Sequence, residues 1–220
     1  MEVVKYLSDL IPLLIVGAKN TLLVFAFTLA FAIPLGLPVT LASISKIPPL
    51  KWIANLYIWV FRGTPLMLQL FFFYFFIPIA TNRTVMLSNF TTAAFTFVLN
   101  YAAYFAEIYR GGIQSIDVGQ HEAAKALGYT KWLTMKHVII PQTIRRVIPA
   151  ISNESITLIK DTALINVIGA AELLKVAKDT VNRTTNPAAY GVAACFYLVF
   201  TFVLTVVSKK LENVFSRHER

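Results

Sequence analysis

The chain is divided by four long runs that contain no charged residue. Residues 20–45, 63–82, 84–106 and 184–208 hold no Asp, Glu, Lys or Arg. Each run has at least 20 residues, and an α-helix needs about 20 apolar residues to cross the hydrocarbon core of a bilayer. Hydrophobic residues make up 57% of the chain and charged residues 14%, against about 45–50% and about 25% in soluble domains. The sequence therefore predicts an all-α integral membrane protein.

The distribution of basic residues predicts a fifth, more polar span. Segment 110–146 has six basic residues and two acidic ones. Four more basic residues follow the last run: Lys209, Lys210, Arg217 and Arg220. Cytoplasmic loops are enriched in Lys and Arg, so both regions should lie inside the cell, whereas four spans would put them on opposite sides. We therefore expect the chain to cross again between about 147 and 171, although Glu154, Lys160 and Asp161 interrupt that stretch.

The expected architecture is a single domain, residues 1–220, with five transmembrane helices. The predicted spans cover approximately residues 13–45, 52–79, 88–109, 142–166 and 186–208. With these spans, twelve basic residues face the cytoplasm and five face the outside. This asymmetry predicts that the N-terminus lies outside and the C-terminus inside.

Several other protein classes find little support in the sequence. His121, His137 and His218 have no spacing that would place two metal ligands on one helix face, so no metal site is expected. The net charge of +9 is explained by basic residues beside the spans, which disfavours a nucleic-acid partner. A stand-alone secondary transporter usually has internal repeats, and a membrane enzyme needs a nucleophile with its base or a pair of metal ligands. Neither pattern is evident, so both are minor alternatives.

The loop between the third and fourth spans contains a short helix with recognisable ends. Asp117 can cap its start, with Gln120 at the position of a capping-box partner, and Gly128 can adopt the left-handed conformation that ends a helix. Small residues on this helix would allow close approach of another protein's backbone, and Glu122 offers a charge. The surface comprises Ala123, Ala124, Leu127 and Gly128. An amphipathic connector lying on the membrane is the alternative.

The same residues resemble the signature loop of bacterial ABC importer permeases. That pattern is Glu-Ala-Ala, three residues, Gly, nine residues, an aliphatic residue, one more residue, an aliphatic residue and Pro. Its positions are here occupied by Glu122, Ala123, Ala124, Gly128, Val138, Ile140 and Pro141. The family prefers Ile and Leu at the two aliphatic positions, which is a conservative difference. The resemblance implies a coupling helix, within a loop of about 115–138, that docks on a cytoplasmic ATPase through Glu122, Ala123, Ala124, Leu127 and Gly128.

Three further segments resemble polar amino-acid permeases, which are inner-membrane components of binding-protein-dependent transport systems. They are FRGTPLMLQL at 61–70, AEIYRGGIQSID at 106–117 and IKDTALINVIG at 159–169. The resemblance covers most of the chain. It implies an importer permease in the bacterial inner membrane that moves polar amino acids. The implied partners are a second permease, identical or homologous, two ATP-binding subunits and an extracytoplasmic solute-binding protein. An ABC permease for another small solute is the closest alternative.

This chain is not expected to be an enzyme. It contains no G-x-x-x-x-G-K-[ST] motif, in which backbone N–H groups cradle the phosphates of a nucleotide. ATP hydrolysis is therefore expected on a separate ATPase subunit, which would bind ATP and Mg²⁺. No catalytic residue and no cofactor are expected on this chain.

Polar residues inside the predicted spans are candidates for contact with the substrate. A charged group at the centre of a membrane helix costs about 2.5–3.5 kcal/mol, so such groups usually face a cavity or a partner. Glu154 has no basic residue within four positions and could bind an ammonium or cationic side chain of an amino acid, the alternative being a tertiary salt bridge. Asn153 lies beside it. Asn100 and Gln69 could supply amide hydrogen bonds to the ligand, or could tie helices together.

A helix kink or gate is predicted at four consecutive residues of the second span: Arg62, Gly63, Thr64 and Pro65. Pro65 removes a backbone donor, which should kink the helix and free carbonyls that can line a pore. The alternative for Arg62 is that its side chain extends to the cytoplasmic interface.

Two further pairs of opposite charges lie in or near the spans. Lys160 and Asp161 either neutralise each other or form part of an outer gate. Glu107 and Arg110 are three residues apart, which places them on one helix face and predicts an ion pair.

Overall fold

The computed structural model of the chain describes residues 2–216, where all the regular structure is helical. The side chains of Lys5, Arg217, His218 and Arg220 lie outside the described part. In chain order the helices are α1 (Glu2–Ser43), α2 (Pro48–Gly63), α3 (Leu66–Ala80), α4 (Asn89–Gln114), α5 (Val118–Ala126), α6 (Lys131–Thr134), a π-helical turn (Met135–Ile139), α7 (Ile140–Asp161), a 3₁₀ helix (Thr162–Ile168), α8 (Leu173–Thr184) and α9 (Ala188–Ser216).

Two of these helices, α1 and α9, are each long and apolar enough to cross a bilayer, over Tyr6–Ser43 and Ala188–Phe215. Helices α2 and α3 are apolar enough when taken together, but the chain bends by 108° between them. The predicted span 52–79 is therefore two helices rather than one. The predicted span 142–166 is likewise divided, because α7 ends at Asp161 and the chain continues as the 3₁₀ helix.

Helix α4 lies at the centre of the fold and packs closely against α1. A Cβ atom added to Gly36 of α1 would lie 2.9 Å from the Cβ of Phe105 on α4. The hydroxyl of Thr40, also on α1, donates a hydrogen bond of 2.9 Å to the carbonyl of Ala106. Small residues allow membrane helices to approach closely enough for such contacts.

Two apolar clusters hold the remaining helices against this pair. The larger joins α1, α3, α4, α7 and the 3₁₀ helix and includes Val24, Leu70, Phe97, Tyr101, Leu158 and Ile165. The smaller joins α1, α8 and α9 and includes Leu10, Leu14, Leu173, Ala177 and Ala189.

Helix α8 is not predicted from the sequence, and a buried carboxylate fixes its start. Glu172 is fully buried and accepts hydrogen bonds from the backbone N–H groups of Leu174 and Lys175, at 2.7 and 2.6 Å. The hydroxyl of Tyr197 on α9 donates a third, of 3.1 Å. Glu172 therefore caps α8 and joins it to α9.

Gly112 marks the closest approach of α4 to α7 and gives a test of this packing. An added Cβ would lie 2.2 Å from Cγ1 of Val147 and 3.1 Å from Cγ2 of Thr143, whereas an added Cβ at Gly111 would meet nothing within 4 Å. We expect Gly112→Ala to lower stability by about 1–3 kcal/mol, because Val147 must move. Gly111→Ala should be neutral or stabilising by up to about 1 kcal/mol, since Ala favours helix over Gly. Thermal unfolding of the two full-chain variants in detergent measures the difference, and equal melting temperatures would contradict this packing.

Candidate functional site

The predicted helix in the loop after α4 is α5, and both of its ends have the expected chemistry. The Asp117 carboxylate accepts a hydrogen bond of 2.7 Å from the N–H of Gly119, and Gly128 has a φ of +77°. Gln120 does not complete a capping box. Its side-chain oxygen instead accepts a 3.1 Å hydrogen bond from Nε2 of Gln142 on α7. The predicted cap and left-handed end are confirmed, and Gln120 ties α5 to α7.

Helix α5 presents most of the predicted coupling residues at the surface. Glu122, Ala123, Leu127 and Gly128 are exposed, and the Leu127 side chain is 78% exposed. Ala124 is only 4% exposed and packs inward. Four of the five predicted coupling residues are therefore accessible to a partner. Ala124 instead packs the helix against the rest of the loop.

Three further exposed apolar residues surround α5 and were not singled out from the sequence. Val118 begins the helix and is 68% exposed, Tyr129 follows Gly128, and Trp132 in α6 is 69% exposed. Large apolar side chains left exposed outside the spans indicate a protein or membrane contact. The signal that could have identified them is the presence of apolar residues in a segment that is otherwise polar.

The loop is anchored on the first turns of α7. Nη1 of Arg146 donates hydrogen bonds to the carbonyl of Ser115 and, at 3.2 Å, to its hydroxyl oxygen. Nε2 of Gln142 donates to Gln120 on α5 and to the carbonyl of Val138, at 3.1 and 3.0 Å. Helix α7 therefore holds both the start of the loop and α5 itself.

The second half of the signature pattern forms the junction with α7. Val138 lies in the π-helical turn, and Pro141 lies in the first turn of α7. A proline is tolerated there because the first N–H groups of a helix have no intrahelical partner. The pattern thus covers an exposed helix and the start of a long one.

Two buried amide side chains donate hydrogen bonds at the break between α2 and α3. Pro65 has no N–H, and Thr64 is extended, with φ −118° and ψ 145°, as is usual before proline. Nε2 of Gln69 donates to the carbonyls of Phe61 and Thr64, at 2.9 and 3.1 Å. Nδ2 of Asn100 donates to Phe61 and to Oε1 of Gln69, at 3.1 and 2.9 Å. These bonds favour the helix-tying alternative over substrate contact for Gln69 and Asn100.

Arg62 points from this break toward α4. Its Nη1 lies 3.7 Å from Oε1 of Glu107, and its guanidinium carbon lies 5.4 Å from the ring centroid of Tyr104. Glu107 also accepts a 2.8 Å hydrogen bond from Nε of Arg110, so the predicted Glu107–Arg110 ion pair is confirmed. The three charges tie the end of α2 to α4.

Glu154 lies partly buried on α7 without a hydrogen-bond or ion-pair partner among residues 2–216. It interacts electrostatically with Asp161, two turns further along α7, and with Arg62 at the break. Asn153 beside it is exposed. The carboxylate of Glu154 therefore has no direct hydrogen-bond or ion-pair partner in the part of the chain that the structure describes.

Asp161 is bound by an aromatic hydroxyl rather than by its neighbour Lys160. The hydroxyl of Tyr101 on α4 donates a 2.8 Å hydrogen bond to Oδ2 of Asp161. Lys160 is exposed and forms no ion pair within the described residues. The structure thus joins Asp161 to Tyr101 and places Arg62 against Glu107 and Tyr104, whereas Gln69 and Asn100 bind the helix break.

A family model described as "binding-protein-dependent transport system inner membrane component" matches residues 32–216. The chain is 40% identical over 208 residues to the glutamine transport system permease protein of Escherichia coli K12, covering 92% of this chain and 93% of that protein. It is 38% identical over 204 residues to the arginine transport system permease protein of Bacillus subtilis, covering 92% of each.

Solved structures show the same fold. A chain from the crystal structure of an amino acid ABC transporter with histidines matches at a TM-score of 0.88 and 36% identity, covering 96% of both chains. A chain of an inward-facing methionine ABC transporter matches at a TM-score of 0.75, with 17% identity over 95% of this chain and 99% of that one. The chain therefore belongs to the family of binding-protein-dependent transport system inner membrane components, which are permease subunits of ABC transporters.

Proposed function

We propose that this chain is a permease subunit of an ABC importer that moves polar amino acids into the cell. The observation that carries the proposal is the exposed helix α5, which with the two residues after it bears the Glu122 to Gly128 pattern outside the apolar spans. Relatives named for glutamine and arginine transport support the class of substrate. Family membership leaves the secondary-transporter alternative without support.

The proposed topology is five spans with the N-terminus outside. Besides α1, α9 and the bent pair α2–α3, the 26 residues of α4 would extend about 39 Å at 1.5 Å per residue. The 22 residues of α7 would extend about 33 Å. Both lengths match a hydrocarbon core of about 30 Å. The loop that contains α5 then lies in the cytoplasm.

The proposed assembly contains a second permease, two ATPase subunits and an extracytoplasmic binding protein in the bacterial inner membrane. ATP and Mg²⁺ would bind the ATPase. Glu122, Ala123, Leu127 and Gly128 would contact its surface, with Val118, Tyr129 and Trp132 as apolar neighbours. Trp and Tyr are enriched among the few residues that supply most of the binding energy in protein interfaces, and Glu122 would set the orientation of docking.

The proposed substrate contact is Glu154. It is partly buried and unpaired, and it lies on the same helix as Asp161. An amino-acid ammonium, or the cationic side chain of Arg, Lys or His, would supply the missing partner. Arg62, Lys160 and Asp161 are proposed to gate the path of the substrate past Glu154, whose carboxylate is attracted by Arg62 and repelled by Asp161.

Reversing the charge of Glu122 tests the coupling role. We expect Glu122→Arg to reduce ATP-driven amino-acid uptake on the order of tenfold or more, because a like charge at an interface opposes docking. Labelled uptake and ATPase activity are measured in proteoliposomes that contain the chain, its ATPase and its binding protein. Asp179→Arg, an equal charge reversal on exposed α8, serves as the control. Normal assembly and uptake by Glu122→Arg would contradict the assignment.

Neutralising Glu154 tests the substrate contact. A hydrogen bond to a charged group contributes about 1.5–3 kcal/mol, so Glu154→Gln should weaken transport of arginine roughly tenfold to a hundredfold. Transport of neutral glutamine should change less. The measurement is competitive uptake of the two labelled amino acids. Asp179→Asn is the control, because it neutralises an acidic residue on α8, away from Glu154. An equal loss for both substrates would show that Glu154 does not select charge.

A further inference from the structure

A polar cavity of about 360 Å³ lies where the end of α1, the first turns of α2 and the last turns of α4 meet. The polar and charged residues that line it from α2 and α4 are Lys51, Asn55, Glu107, Arg110 and Gln114. Neither Glu154 nor Asp161 lines it, so it is distinct from the proposed substrate contact. Gln114 immediately precedes Ser115, where Arg146 anchors the coupling loop, and the proposed orientation therefore places this cavity at the cytoplasmic surface.

The cavity has an excess of positive charge. Its only acidic residue is Glu107, and both oxygens of that carboxylate accept hydrogen bonds from Arg110. One of them also lies 3.7 Å from Nη1 of Arg62. Lys51 is exposed and has no hydrogen-bond or ion-pair partner in the described part of the chain. The negative charge of Glu107 is therefore outweighed by the positive charges around it, and the ammonium of Lys51 is available to a ligand.

The lining also has unused hydrogen-bond donors. The guanidinium of Arg110 has five N–H groups, of which three are used, two by Glu107 and one by the side-chain oxygen of Gln114. The remaining donors include two N–H groups of Arg110, the ammonium of Lys51 and the side-chain amides of Asn55 and Gln114. A ligand that presents several oxygens and a negative charge, such as a phosphate group, matches this set.

Exposed apolar side chains lie on α2 next to the residues that line the cavity. Trp52 follows Lys51 and Leu56 follows Asn55, and they are 66% and 40% exposed. Tryptophan is enriched at the level of lipid headgroups, and basic pockets between membrane helices on the cytoplasmic side bind anionic headgroups. A dissolved anion would gain nothing from Trp52 and Leu56, whereas the acyl chains of a lipid bound at Lys51 could pack against them.

We propose that this cavity binds the phosphate group of an anionic phospholipid from the cytoplasmic leaflet. Lys51 and the free N–H groups of Arg110 hold the phosphate, and Asn55 donates a further hydrogen bond. The acyl chains lie against Trp52 and Leu56. Free phosphate has the same oxygen chemistry, so the test must separate the two sources.

The experiment counts lipids retained by the full-length chain in native mass spectrometry, after incubation in detergent with phosphatidylglycerol or phosphatidylcholine. The wild type is expected to retain one phosphatidylglycerol in preference to phosphatidylcholine. Removing one positive charge with Lys51→Gln should reduce that retention roughly fivefold, and Lys51→Glu should reduce it roughly tenfold or more. Lys46→Gln and Lys46→Glu are the matched controls, because Lys46 is an exposed residue of the turn just before α2 and does not line the cavity.

Equal losses at Lys46 and Lys51 would show a general effect of surface charge and would overturn the proposal. An absence of preference for phosphatidylglycerol in the wild type would overturn it as well. Inorganic phosphate is titrated separately and followed by the width of its phosphorus NMR signal. Broadening that Lys51→Glu abolishes, without any lipid preference, would assign the cavity to free phosphate and reject the lipid. Lipid binding requires no transport, so this test can fail while the importer assignment holds.

Discussion

The carbonyl groups freed at the α2–α3 break must accept hydrogen bonds from other groups. The arrangement of the other helices depends on this constraint. Within a bilayer an unpaired backbone carbonyl costs several kcal/mol, because no water is present to replace the lost bond. Gln69 and Asn100 supply the missing donors from inside the fold. Since Asn100 belongs to α4, the break is fixed to the central helix. That attachment brings Arg62 to Glu107 on one side and packs α3 against the 3₁₀ helix on the other.

Helix α4 connects this break with the coupling loop. Its middle carries Asn100 at the break, and its last turns carry Glu107 and Arg110, which bind Arg62 and each other. The helix ends at Gln114, shortly before α5 begins. The loop and the break are therefore connected by one continuous helix and by the charged contacts near its end.

The sequence predicts the features that depend on local chemistry and on charge. Asp117 and Gly128 delimit α5 because a cap and a left-handed residue act within a few positions. The hydrogen-bond partners of the Gln69 and Asn100 side-chain amides could not be assigned from the sequence, because the tertiary packing of α2, α3 and α4 sets them. The hydrogen bond between Gln69 and Asn100 alone spans 31 positions. The same holds for Ala124, whose inward orientation depends on how a helix of nine residues sits on its loop. The size of the bend, 108°, follows from this packing and not from Pro65 alone.

Helix α7 links the two proposed functional regions, the coupling loop and Glu154, and its two anchors differ in strength. Gln142 and Arg146 near its start bind the coupling loop through exposed side chains. Glu154 lies about 18 Å beyond Gln142 along the helix, at about 1.5 Å per residue, and Asp161 at its end is held by Tyr101, which is 1% exposed. Exposed hydrogen bonds exchange readily with water, whereas breaking a buried one leaves polar groups unpaired. Helix α7 therefore joins α5, which is held by exposed hydrogen bonds, to Glu154 and to a more deeply buried anchor on α4.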